Sequence, residues 1–220
     1  MTVTIAEEFL LLAYRDDKGT PLIDSTRLDS ALAGALLAEL AVAGRLELSD
    51  KKVTVTDPSP LGDAELDATL SRIASETKAR KPAWWVQRLK TSKLRNRLLT
   101  NLAGSGVLTE ERSRALGIFP VTRWPEAHPG VEADVRERAG AVLKGATPDA
   151  RTAVLIAITH AAKLDRKVFP EADKRRIKEI SEGAWTADAV AKTIAAINAA
   201  TMAAISAATT AAASSSSGGG

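Results

Sequence analysis

Leucine and alanine at helical spacing dominate the pattern of this chain. From Ile5 to Tyr14 the sequence is apolar on nearly every side through Leu10, Leu11 and Leu12, which predicts a buried helix. Thr4 and Glu7 stand at capping-box spacing at its start. Asp16-Asp17-Lys18-Gly19 reads as a turn. Leu32, Leu36, Leu37 and Leu40 predict a second helix over about Asp29–Ala43, closed by Gly44. The period then drops to two. Leu46 and Leu48, then Val53 and Val55, alternate around Ser49-Asp50-Lys51-Lys52, the signature of a β-hairpin. Leu66, Leu70 and Ile73 predict a third helix from Asp63 to about Ala79, broken at Pro82. A fourth is expected from Trp84 to Leu102 and a short one after Thr109-Glu110-Glu111. Phe119 to Pro129 reads as irregular or hairpin-like, and helices are expected over about 131–144, 148–162, 171–182 and 186–212. The fold class is mainly α: a single helical-bundle domain over residues 1–208 with one or two short β-hairpins, then a disordered Ala/Ser/Gly tail over 209–220.

Composition narrows the chemistry. The chain has no cysteine, so disulfides and thiolate catalysis are excluded. Its two histidines, His128 and His160, belong to no metal-ligand spacing, and no phosphate-binding glycine loop or nucleophile elbow is present. His160 lies in an apolar run and reads as a hydrogen-bonded core or boundary residue, and Glu39 as an ion-pair or cap partner. No catalytic residue, metal or cofactor is expected, and the protein reads as a non-enzyme. The N-terminus shows no secretory signal. Thr193–Gly220, the longest uncharged segment, is too alanine-rich to favour a membrane span. The expected location is cytoplasmic, with any membrane contact peripheral and at the inner face.

Charge changes the picture. The chain has 30 basic and 27 acidic residues, but the window 72–97 holds nine of the basic ones and a single acid, Glu76. A concentrated field of one sign attracts polyanions. On a continuous helix, Lys90, Lys93 and Arg97 fall opposite the leucine face, and Arg88 and Arg95 fall on its border. These five are the candidate phosphate ligands, the border arginines being suited to a forked contact. Ile118, Phe119, Val121 and Trp124 form an apolar, Trp-bearing segment suited to the interfacial zone of a bilayer. Blander readings stay open: a solvated helix face for the charges, and a loop folded on the core for the apolar segment. Helix followed by hairpin over 29–57, with Arg45, Lys51 and Lys52, also fits a winged-helix-like DNA-binding regulator, although the strongest basic density lies elsewhere and nucleic acid is disfavoured.

The runs Ile5-Ala-Glu-Glu-Phe-Leu-Leu-Leu-Ala, Gly34-Ala-Leu-Leu-Ala-Glu-Leu-Ala-Val-Ala-Gly-Arg-Leu-Glu-Leu, Leu94-Arg-Asn-Arg-Leu-Leu-Thr-Asn-Leu-Ala-Gly-Ser-Gly-Val-Leu-Thr and Ala153-Val-Leu-Ile-Ala-Ile-Thr-His-Ala-Ala resemble, in order, the Golgi phosphoprotein 3 family, in a compact bacterial-type form. The resemblance implies an almost all-helical peripheral membrane protein. It also implies binding of anionic phospholipid, with phosphatidylinositol 4-phosphate as the candidate lipid and cytosolic tails of membrane proteins as candidate partners. Homo-oligomerisation is left open. The family's phosphate pocket uses a tryptophan, a second-helix arginine and two arginines on the basic helix. Those places fall at Asp24, Ala33, Ser92 and Arg95, of which only Arg95 is kept. The family's membrane-inserting hairpin corresponds to about Leu116–Pro129.

Overall fold

The computed structural model describes residues 3–115, 118–183 and 189–215. Helix α1 (Ile5–Ala13) opens on the expected reciprocal cap: the Thr4 hydroxyl accepts from the Glu7 N–H, and the Glu7 carboxylate accepts from the Thr4 N–H at 2.9 Å. Helix α2 (Ser25–Val42) is the axis of the molecule. Between Leu28 and Ala41 every residue except Asp29 is buried. It begins four residues before the sequence suggests, because Asp24 caps it, accepting the Arg27 N–H at 3.0 Å.

Strands β1 (Leu46–Ser49) and β2 (Lys52–Val55) form the expected hairpin, with Ser49 opposite Lys52. Asp50 and Lys51 make the turn at φ 51° and 61°, the left-handed pair that suits strand twist. Helix α3 (Ala64–Ala74) stops short of Ala79. The backbone then bends back so that the Arg80 carbonyl accepts from the Val53 N–H at 2.8 Å.

The expected helix over 84–102 is two helices, α4 (Pro82–Leu89) and α5 (Ser92–Gly104). Lys90 is extended, with ψ 112°, and Thr91 caps α5 by accepting from the Leu94 N–H at 3.1 Å. A threonine N-cap inside an apolar period starts a new helix. After Thr109 the chain forms strand β3 (Glu111–Ala115), not a helix, because it pairs antiparallel with β4 (Phe119–Arg123). Four helices follow this second hairpin: α6 (Pro129–Leu143), α7 (Ala150–Ala161), α8 (Asp165–Val168) and α9 (Lys174–Ser181). Helix α10 (Ala189–Ser215) follows, and the end of the low-complexity tail, 216–220, lies outside the described residues.

Helices α1, α4, α7 and α10 surround α2. Alanines and a glycine on α2 let its neighbours come close. A Cβ on Gly34 would overlap the Thr201 side chain of α10 and touch Ile158 of α7. A smaller core joins Val142 of α6, Ile156 of α7 and Ile180 of α9. Among the described residues no helix is long and apolar enough to cross a membrane. The basic helices and the second hairpin lie on the surface of this bundle.

Candidate anion-binding site

The five candidate cations sort into two groups. Arg88 is exposed in the last turn of α4, Lys90 is half-buried at its end, and Lys93 is exposed in the first turn of α5. None of the three forms an ion pair among the described residues. Arg95 and Arg97 are paired. Arg97 holds Glu65 of α3 through both ends of its fork, with Nη2 donating to Oε2 at 2.8 Å. Arg95 donates from Nη1 to Asp29 Oδ1 at 2.8 Å, and the two side chains are only 17% and 15% exposed. The helical wheel placed Arg97 with Lys90 and Lys93. The break at Lys90–Thr91 ends that continuity, and Glu65 then neutralises Arg97.

Arg95 lines a cavity of about 400 Å³ between α5, the segment after α1 and the second hairpin. Tyr14, Ser25, Asn96, Thr100 and Thr122 also line it, and Glu110 and Trp124 complete the wall. Burial pushes the Tyr14 phenol up to about 12, so it remains a donor. The cavity thus offers hydroxyl and amide donors and one guanidinium, chemistry suited to a phosphorylated polyol, together with one opposing carboxylate, Glu110, which Arg112 engages.

The hairpin is divided. Ile118, at its turn, is 75% exposed, and Val121 is half-buried. The Phe119 side chain lies outside the described residues, as do Leu116 and Gly117. Trp124, 7% exposed, sits at the root, where its N–H donates to the Gly19 carbonyl at 2.9 Å. Gly19 has φ 56°, and a Cβ there would overlap the Trp124 backbone, so this contact requires glycine. Arg112 and Arg114 project from β3; Arg112 is 80% exposed and donates to Glu110 at 2.8 Å.

Below the root lies a cluster that sequence reasoning missed. Carboxylate oxygens of Asp16, Glu126 and Glu132 all lie within 4.8 Å of one another. Arg136 Nε donates to Glu132 at 2.6 Å. Burial, with Asp16 and Glu126 beside it, pushes the Glu132 carboxyl up to about 7 despite that arginine. The Asp16-Asp17 turn was legible, but its convergence with residues far along the chain was not. Asp29 was missed for the same reason: no local pattern marks it as the partner of Arg95.

A family model described as Golgi phosphoprotein 3 (GPP34) matches residues 5–197. The chain belongs to that family. Vacuolar protein sorting-associated protein 74 of Schizosaccharomyces pombe is 25% identical over 163 residues, covering 64% of this chain and 48% of that protein. The chain therefore spans about half the length of this relative. Set against the Golgi phosphoprotein 3 pocket, Ala33 is fully buried in the core and Asp24 serves as a helix cap with a 3.1 Å ion pair to Arg27. Ser92 is exposed at the start of α5, leaving Arg95 as the one retained place that faces a cavity. Arg45 donates to Asp57 at 2.6 Å and to the Ser59 carbonyl at 3.1 Å, which ties it to its own hairpin and away from a winged-helix role.

Proposed function

We propose that this protein is a non-enzymatic adaptor that docks on the cytoplasmic face of an anionic membrane. Arg88, Lys90 and Lys93 meet the lipid phosphates, Arg95 and its cavity take a phosphorylated headgroup, and Ile118 enters the interfacial zone. Phosphatidylinositol 4-phosphate is the headgroup that this reading favours. Its strongest support is the set of three cations without carboxylate partners at the α4–α5 junction, in a stretch without acids from Thr77 to Thr109. Each basic side chain near an anionic leaflet contributes about 1 kcal/mol. Electrostatic attraction plus an apolar insertion supplies the two signals that peripheral anchoring requires. Family membership, the exposed Ile118 and the donor-rich cavity support the same reading.

Co-sedimentation with phosphatidylcholine vesicles carrying phosphatidylinositol 4-phosphate or phosphatidylglycerol tests it. The triple variant R88E/K90E/K93E is expected to bind at least about 100-fold more weakly, since losing three attractions of about 1 kcal/mol each already gives that factor and the new charges repel. These side chains have no partners to lose among the described residues, so folding is spared. Undiminished sedimentation would remove the junction from the mechanism.

A further inference from the structure

The ion pair at the cavity wall carries one more inference, which rests on the docking reading above. Asp29 is the one residue of the Leu28–Ala41 stretch that is not buried. Its carboxylate holds Arg95 Nη1 at 2.8 Å, and no other carboxylate among the described residues pairs with that guanidinium. Arg95 lines the cavity and Asp29 does not, so the carboxylate engages the arginine from outside the ligand space. Burial raises the Asp29 pKa above its usual value, and Arg95 and then Lys90 pull it back. Of the cations that the docking reading assigns to phosphate, Asp29 forms an ion pair with Arg95 alone among the described residues.

We propose that Asp29 is an affinity-setting residue, a built-in counter-ion that already neutralises Arg95 and so weakens the cavity's hold on a phosphomonoester headgroup. Two effects oppose each other. Holding the guanidinium in place before the ligand arrives favours binding, by about tenfold at most for one ordered side chain. Asp29 also occupies one arm of the guanidinium fork and cancels its charge, and denying the phosphate that charge-assisted hydrogen bond opposes binding by about fiftyfold. Masking wins, and the net effect of Asp29 is to weaken binding about fivefold or more.

Asp29→Asn keeps an oxygen that accepts the Arg95 hydrogen bond and removes the charge, so it separates the two effects. In the full chain, with vesicles of phosphatidylcholine and phosphatidylinositol 4-phosphate, D29N is expected to lower the Kd by about fivefold at least and up to about fiftyfold, since the retained hydrogen bond keeps Arg95 ordered while its charge is unmasked. In an Arg95→Gln background the same change should gain about twofold or less, because no guanidinium is left to unmask. Asp29→Ser is the second variant if D29N melts early. No gain from either variant, weaker binding, or an equal gain with and without Arg95 would overturn the role of Asp29. The charge-reversed R88E/K90E/K93E protein reports separately on docking itself. If that variant binds as well as the unaltered chain, the docking reading falls, and this inference falls with it.

Discussion

Gly34 shows how much one position can depend on a remote neighbour. It lies inside the leucine-rich run of α2 and looks like an ordinary small residue there. In the fold its missing side chain is the space into which Thr201 packs, with Ile158 alongside. Gly34→Val should cost about 1–3 kcal/mol and lower the Tm by roughly 2–12 °C, since neither neighbour is the end of a long flexible chain. A melt within a degree of the unaltered protein would show that α10 can move away freely. Glu39 was more legible. A lone acid among leucines predicts a structural partner, and the carboxylate accepts from the Ile5 N–H at 2.8 Å and from Arg151 at 2.5 Å. It therefore ties α1 and α7 to α2. His160 behaves as its setting suggests, with Nδ1 3.2 Å from Asp165 at the end of α7.

At the scale of elements, the first hairpin and the second had different fates in the sequence. β1 and β2 alternate cleanly around a polar turn, so pattern alone finds them. β3 reads Glu-Arg-Ser-Arg-Ala, which has no apolar face and follows a capping-like Thr-Glu-Glu, so a helix was the natural expectation. Pairing with β4 and anchoring at the root decide the matter. That root is where pH should act. Burial pushes the Glu132 carboxyl up to about 7, well above the usual glutamate value of about 4.5, and Glu126 is shifted the same way by burial and by Asp16. A carboxyl that holds its proton more tightly when folded contributes fully below about pH 4.5, and its contribution is lost as pH rises through about 7. The unaltered protein should lose about 2 kcal/mol from this group between pH 5 and pH 8, and Glu132→Gln should not. Urea denaturation of both at the two pH values checks this; parallel stability changes would show that Glu132 is not the group responsible. The loss should concentrate in the hairpin, whose root contacts Gly19 and Asp16 through the Trp124 and Glu126 N–H groups at 2.9 and 3.2 Å.

For the whole molecule, the body outside residues 72–97 carries 21 basic and 26 acidic residues, so attraction to an anionic surface is local and opposed by the rest of the chain. Vesicle binding should therefore weaken steeply as salt rises from about 50 to 500 mM, while Ile118→Asp should weaken it at every salt concentration. Salt-independent binding would place the interaction on apolar contacts alone. What the sequence determined by itself was the local part: helical periods, the Thr4–Glu7 cap, the first hairpin, and a stretch rich in bases. Each of these depends on residues within a turn or two of one another. Only the tertiary structure decided which of those bases stay available to a partner. Glu65 and Asp29 reach Arg97 and Arg95 from other helices, and a charge is neutralised by what lies beside it in space, which spacing along the chain does not encode.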